Sequence, residues 1–149
     1  MTRASTFASL AISVLTSCLL AALPAKAQQA APSASNLVLE LNGAQPSEKG
    51  CRLTFVVTNN LGAELAKAAF EIALFNDAGV VDRLTVLDFN ELPAGKTKVA
   101  RFDLAGTDCT KISRVLINQT TECTGVGIEP DACLSQLKPE TKSAIVFGV

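Results

Sequence analysis

The feature that most constrains the fold is a regular alternation of apolar and polar residues, which begins near residue 36. In the clearest run, Cys51 to Thr58, Leu53, Phe55 and Val57 share one face. A period of two is that of a β-strand with one face buried and one exposed. Runs of this type predict seven strands: 37–41, 51–58, 66–75, 80–89, 97–104, 112–118 and 144–149.

Turn residues separate these runs. Asn76-Asp77-Ala78-Gly79 lies between two apolar runs and predicts a hairpin. Residues 65–72 could also form a helix, since Ala and Glu favour helix, but the alternation at residues 70, 72 and 74 favours a strand. Residues 121–140 have little periodicity, and one short helix is expected at 130–137. Short strands with turns between them, and no internal repeat, predict one all-β sandwich domain spanning residues 36–149.

The first 27 residues have the pattern of a secretory signal peptide. Arg3 supplies a positive charge, residues 7–23 carry no charge, and Pro24 ends the apolar run. Ala25-Lys26-Ala27 then forms an A-x-A cleavage site. We therefore expect residues 1–27 to be removed, residues 28–35 to form a flexible lead-in, and the mature protein to be periplasmic. The chain has no twin arginine, which favours the general secretory route.

Two other roles of this N-terminal segment remain open. One is a transmembrane anchor, but the run of about 17 residues is rich in Ala and Ser, and a bilayer needs about 20 apolar residues. The other is lipidation, because Leu15-Thr16-Ser17-Cys18 matches the bacterial lipobox. A lipoprotein cysteine normally opens a polar tether, whereas apolar residues follow Cys18 as far as Leu23. This difference favours cleavage after Ala27, with no membrane span left in the mature chain.

Composition excludes several classes of function. Removal of Arg3 and Lys26 leaves 11 basic residues of 13 against 14 acidic ones, a net charge of about −3. With no basic run, nucleic acid and anionic membrane surfaces are not expected partners. The sequence has no His, Trp or Tyr. Without His, the Ser-His-Asp and Cys-His nucleophile systems and imidazole metal sites cannot form within this chain.

Four cysteines lie in the predicted mature chain: Cys51, Cys109, Cys123 and Cys133. An even number in an exported chain indicates two disulfides, for which three pairings are possible. No C-x-x-C motif is present, which argues against a zinc site or a thiol oxidoreductase. We predict a Cys51–Cys109 bond, which joins the clearest strand to the segment before residue 112. The second predicted bond, Cys123–Cys133, closes a loop within the irregular segment.

Three motifs carry possible chemistry, and each has a simpler structural interpretation. Ser135-Gln136-Leu137-Lys138 matches the S-x-x-K of serine β-lactamases, but the S-D-N and K-T-G motifs are absent. Asn118-Gln119-Thr120 is an N-glycosylation sequon at a predicted strand end. Four carboxylates could act as paired acids or bind calcium, although nearby basic residues favour weak surface ion pairs: Asp88, Glu91, Asp103 and Asp108. We therefore predict no catalytic residue, no cofactor-binding residue and no metal site.

Part of the sequence resembles the FxLYD-type immunoglobulin-like domain of bacterial envelope proteins. The matching segments are a strand ending in Asn, a strand before a hairpin with Asp and Gly, and a turn of the L-x-P-G type before the next strand: Val56-Val57-Thr58-Asn59-Asn60, residues 69–81, Leu92-Pro93-Ala94-Gly95 and Arg101-Phe102-Asp103-Leu104. This chain has Leu-Phe-Asn-Asp where the family has Leu-Tyr-Asp, and an inserted Ala before Gly95. The mature chain also resembles small exported proteins of alphaproteobacteria labelled by a Tat-type signal sequence. The first resemblance implies an immunoglobulin-like fold, and neither implies a catalytic residue.

Together these features predict a disulfide-stapled, immunoglobulin-like β-sandwich of about seven strands in the periplasm. We expect it to bind another cell-envelope protein and not to be an enzyme. One alternative is a small carboxylate-dependent hydrolase or ligand-binding protein that uses the region from Asp88 to Asp108, and another is a purely structural envelope component. An enzyme should have a concave pocket with convergent polar groups, whereas a binding module should have an apolar patch or a free edge strand.

Overall fold

The structure, a computed structural model, describes residues 35–149. The predicted signal peptide, its Cys18 and the lead-in as far as residue 34 lie outside the described residues. The strands are β1 (Leu37–Ser47), β2 (Gly50–Asn59), β3 (Lys67–Phe75), β4 (Val81–Asp88), β5 (Thr97–Ala105), β6 (Arg114–Thr124), β7 (Leu137–Thr141) and β8 (Val146–Gly148). A 3₁₀ turn (Cys109–Lys111) precedes β6, and a single-turn helix, α1 (Ala132–Ser135), precedes β7.

The strands form two four-stranded sheets. The first sheet has the order β5-β2-β1-β7 and the second β4-β3-β6-β8. Neighbouring strands are antiparallel except at two edges, where β7 runs parallel to β1 and β8 runs parallel to β6. The division of β1, β2 and β5 from β3, β4 and β6 is that of an immunoglobulin-like sandwich. The all-β sandwich predicted from the sequence is therefore confirmed.

Aromatic rings connect the two sheets across the core. The alternation of β2 buries Phe55, which is 1% exposed. Its ring lies edge-on to Phe89, which follows β4, and to Phe102 of β5, with centroids 5.7 and 6.0 Å away. Phe147 of β8 packs on the same ring at 5.7 Å. Each such pair contributes about 0.5–1.5 kcal/mol beyond its buried area, so this cluster favours the packed sandwich.

Both predicted disulfides are present. Cys51 at the start of β2 is bonded to Cys109 in the 3₁₀ turn, with the Cα atoms 4.9 Å apart. Cys123 in β6 is bonded to Cys133 in α1, with the Cα atoms 5.9 Å apart. The first bond joins the first sheet to the segment that enters the second sheet, and the second bond anchors the irregular segment. Two disulfides are typical of proteins in oxidising compartments.

The segment from Pro130 to Thr141 corrects the sequence prediction. A helix was expected over 130–137, but α1 has four residues and the chain then extends as β7. The Leu37 N–H donates to the Gln136 carbonyl at 2.9 Å, which begins the parallel pairing with β1. Pro139 is tolerated because β7 is an edge strand and one side of it needs no donor. Short polar edge strands lack the periodicity by which strands are recognised.

Two strands are longer than predicted. β1 continues to Ser47 instead of ending at Leu41, because a register shift at Asn42 lets its pairing with β2 resume. β6 continues to Thr124 instead of ending at Asn118, with two register shifts opposite β3. Each bulge adds one residue, so the residues that face the core change from odd to even positions or back. A search for strict alternation therefore ends the strand at the bulge. Within residues 35–149, no helix has the length and apolar content to cross a membrane.

Candidate interaction surface

The carboxylates singled out from the sequence do not converge. Asp103 lies on β5 in the first sheet, where Arg52 of β2 donates two hydrogen bonds of 2.9 Å to it. These bonds hold the pKa of Asp103 below its usual value of 3.8. Asp88 lies in the other sheet, at the end of β4, with its carboxylate 3.5 Å from the Lys67 ammonium. Both carboxylates thus form cross-strand ion pairs.

Of the other two predicted carboxylates, that of Asp108 serves local structure. Asp108 Oδ1 accepts hydrogen bonds from the Thr110 backbone N–H at 2.9 Å and from the Thr110 hydroxyl at 2.8 Å. These bonds cap the 3₁₀ turn and lower the pKa of Asp108. Glu91 lies in the connection after β4, where its backbone carbonyl accepts from Lys98 Nζ at 3.0 Å. Within residues 35–149, no three side chains of His, Cys, Asp or Glu are grouped to hold a metal ion.

The S-x-x-K motif and the glycosylation sequon are not part of any cluster of functional groups among the described residues. Ser135 is exposed at the end of α1, and Lys138 on β7 lies 2.8 Å from Glu140. The hydrogen bond from Lys138 lowers the pKa of Glu140. Asn118, the sequon residue, is exposed at a bulge of β6 and donates to Glu71 at 2.6 Å. Lys138 and Asn118 are therefore each engaged in a surface contact, and Ser135 does not contribute to either.

Three recesses in the described part of the chain contain charged groups. One of about 580 Å³ lies at the β1–β2 turn and is lined by the Arg52–Asp103 pair. Another of about 290 Å³ includes Asp82, Asp108 and Lys111. A third of about 400 Å³ is lined by Glu91, Lys96 and Lys98. Of the predicted carboxylates, Asp103 thus lines the first recess, Asp108 the second and Glu91 the third, and no two of them share one of these recesses. Asp103 and Asp108 each already have a partner within the chain.

The edges of the sheets differ in how open they are to a further strand. β7 carries Pro139, and β8 is three residues long. On β5, Lys98 turns towards the other sheet, and its ammonium donates to the carbonyls of Phe89 and Glu91 at 3.0 Å. Proline, short length and inward lysine are features by which natural sheets protect their edges. Three of the four edges carry one of these three features, while the fourth, β4, has one inward arginine, Arg83, in the half nearest the turn from β3.

The fourth edge is β4, which has eight residues and pairs with β3 on one side. Its outward side chains Leu84 and Val86 are 55% and 51% exposed. The Phe89 N–H donates to the Ala68 carbonyl at 2.9 Å. Because hydrogen-bonded pairs alternate along an antiparallel ladder, the backbone groups of Leu84 and Val86 point to the open edge. On the inner side, Arg83 donates to the Ala105 carbonyl at 2.8 Å.

The two exposed side chains of β4 continue into an apolar patch on the outer side of the second sheet. Leu84 pairs with Ala73 of β3, which in turn pairs with Leu116 of β6. Ala73 is 3% exposed although it points away from the core, because larger neighbours cover it. We call this patch the outer apolar face, and its residues are Ala73, Phe75, Leu84, Val86, Leu116 and Val146.

The rest of the same sheet surface is charged and internally paired. Lys67 lies 2.9 Å from Glu122 and 3.5 Å from Asp88. Glu71 accepts hydrogen bonds from the amides of Asn118 and Gln119 at 2.6 and 3.1 Å. The outer apolar face is thus bordered by a polar rim. An apolar patch with such a rim is typical of a protein interaction site.

One cation lies within the outer apolar face. The guanidinium carbon of Arg114 is 5.3 Å from the centroid of the Phe75 ring. Its Nε atom is shielded from solvent and has no hydrogen-bond acceptor among residues 35–149. The ion pairs of the described residues leave Arg114 without a carboxylate. Arg114 is therefore held against an aromatic ring in an apolar surrounding, and its charge is not neutralised there.

Leu84, Val86 and Arg114 belong to no motif or candidate site that is recognisable in the sequence. The available signal was in β4, where Leu84 and Val86 are apolar on one face and Leu87 is apolar on the other. Apolar residues on both faces indicate a strand that is either buried between layers or offered to a partner. The position of β4 at an edge, which decides between these two cases, follows only from the sheet order.

Comparison with protein-family models, curated proteins and solved structures gives no match to this chain. The resemblance to the FxLYD-type domain therefore stays a prediction, and the functional argument rests on the chain's own residues.

Proposed function

We propose that this protein is an exported binding module of the periplasm that engages another cell-envelope protein through the outer apolar face and the β4 edge. The observation that carries the proposal is the exposure of Leu84 and Val86 on an open edge strand that continues into this face. Covering exposed apolar surface with a partner removes it from water, which lowers the free energy of the complex. Unpaired strand backbone gains hydrogen bonds when a further strand is added.

Export to the periplasm is supported by two independent features of the chain. The first 27 residues have a charged start, an apolar run and an A-x-A site. The two disulfides of the folded domain persist in an oxidising compartment and are rare where thiols are kept reduced. A partner in the same compartment is then another protein of the cell envelope.

The carboxylate-dependent alternative has no comparable support. Asp88 and Asp103 lie in different sheets, and each is paired with a basic residue of the neighbouring strand. Asp108 is engaged as a cap. Two carboxylates that share a reaction must flank the same substrate atoms, and this placement gives them no common site.

Affinity capture from the native periplasm tests the proposal. Tagged protein and a Leu84→Ser/Val86→Thr variant are compared with the control variant Val99→Thr, since Val99 is an equally exposed valine of β5 at 56%. We expect one envelope protein to be recovered by the wild type and by the control. The double variant should recover it at least about tenfold less well, the effect of a loss of about 1.4 kcal/mol. Equal recovery by all three proteins contradicts the proposal.

A further inference from the structure

We infer that the partner presents a carboxylate to Arg114, from a segment whose adjacent side chains are apolar. This inference rests on the proposed function and adds the chemistry of the partner's contact segment. It starts from the one charged group inside the outer apolar face. Arg114 has no carboxylate partner among the described residues.

The acidic residues nearest to this face are already engaged. Glu71 accepts from two amides of β6, and Asp88 and Glu122 share the ammonium of Lys67. The polar rim therefore carries three carboxylates and one ammonium, a formal charge of −2, but these groups are engaged within the rim. Arg114 is the cation that a covering partner would have to neutralise. Covering an unpaired charge with apolar groups alone is unfavourable, because the charge loses its hydration without compensation.

Two features preorganise the Arg114 guanidinium for binding a carboxylate. The contact with the Phe75 ring at 5.3 Å restricts the Arg114 side chain, so less conformational freedom is lost when the carboxylate binds. Its Nε is already shielded from water, so part of the desolvation has occurred in the free protein. A planar guanidinium then matches a carboxylate through two parallel hydrogen bonds.

A lone cation among apolar side chains favours an acidic protein segment over other anions. Nucleic acids and anionic lipid surfaces bind through several basic groups acting together. Here the residues around Arg114 are Phe75, Leu116 and Val146, and the paired lysine of the rim is engaged by two carboxylates. The surface therefore matches a segment with one Asp or Glu between apolar residues.

Peptide display tests this inference. The protein is expressed from its full sequence, purified after export with its disulfides intact, and used to select from a library of random twelve-residue peptides. We expect the selected peptides to carry Asp or Glu next to apolar residues. They should bind Arg114→Glu at least tenfold less well than wild type, and replacing their acidic residue with Lys should restore binding to Arg114→Glu. The control Arg101→Glu, at an exposed arginine of β5, should bind as the wild type does.

Melting curves and peptide mapping establish that each variant is folded. If Arg114→Glu is not, the comparison uses Arg114→Gln, which should weaken binding, and Arg114→Lys, which should retain part of it. Peptides that lose binding to Leu84→Ser/Val86→Thr but not to the Arg114 variants overturn the inference and leave the proposed function standing. A selection that yields no peptide dependent on either site contradicts both. Arg114-dependent binding to phosphatidylglycerol vesicles, without peptide binding, also overturns the inference.

Discussion

The side-chain amide of Asn59, at the end of β2, donates a 2.7 Å hydrogen bond to the backbone carbonyl of Leu92 in the β4–β5 connection. The same amide donates to the Ala63 carbonyl at 2.9 Å, and its oxygen accepts from the Leu61 N–H at 3.0 Å. Asn59 is 1% exposed, so its polar atoms depend on these partners. These bonds join the end of β2 to the β4–β5 connection within a buried site.

Replacing this asparagine should destabilise the fold. Asn59→Ala leaves the Ala63 carbonyl and the Leu61 N–H without this partner. The Leu92 carbonyl still accepts from the Leu65 N–H at 3.0 Å. We expect the free energy of unfolding to fall by about 1–3 kcal/mol. Urea denaturation measures the change. Asn60→Ala removes an exposed hydrogen bond of 3.2 Å to Asn36 and should cost less than about 0.5 kcal/mol. Similar losses in the two variants would show that the buried contacts of Asn59 contribute little.

The two disulfides should contribute unequally. The chain-entropy model assigns about 4 kcal/mol to a loop of 58 residues and about 2.7 kcal/mol to a loop of 10 residues. We therefore expect Cys51→Ala/Cys109→Ala to lower the melting temperature more than Cys123→Ala/Cys133→Ala. The buried position of Cys51, 0% exposed, adds a packing loss in the same direction. The reverse order would mean that the irregular segment stabilises the sandwich more than the long loop does.

A strand of this fold could be predicted where its own residues show the apolar-polar alternation. It could not be predicted where the strand forms only by pairing with a distant part of the chain. The alternation of β2 and the hairpin at Asn76 were sufficient to predict the sandwich. The cysteine positions were sufficient to predict the two disulfide bonds. β7 was missed because its five residues become a strand only through pairing with β1, more than 90 residues earlier in the chain. The outer apolar face was missed for the same reason. It consists of one or two residues from each of four strands, which are adjacent only after the sheet has formed.

Acid should weaken the cross-strand pair of Arg52 and Asp103. The hydrogen bonds from Arg52 hold the pKa of Asp103 below its usual value of 3.8. A carboxyl with a lowered pKa in the folded state stabilises fully above its unfolded pKa, and this contribution is lost as the pH falls through the folded value. We expect the melting temperature to fall between about pH 5 and pH 2, and to fall less in Asp103→Asn. Arg52→Gln should reduce the acid dependence similarly, and an unchanged dependence in both variants would rule out this pair as its source.

Processing of the N-terminus can be read from the mass of the exported protein. Cleavage after Ala27 predicts a chain that begins at Gln28 and carries two disulfides, and intact-mass analysis before and after reduction measures both features. Reduction should add four hydrogens to the mass, two for each bond. A mature chain that begins with a diacylglycerol-modified Cys18 would instead place the protein on a membrane surface as a lipoprotein.

Site-specific photo-crosslinking in living cells tests most directly whether the outer apolar face binds an envelope protein. A photoreactive amino acid is placed at Val86 or Val146 on this face, and at Val99 or Val126 as controls, all four being more than half exposed. The account predicts one discrete adduct with an envelope protein from positions 86 and 146, and none from positions 99 and 126. No adduct at any position, or the same adduct from all four, would contradict it.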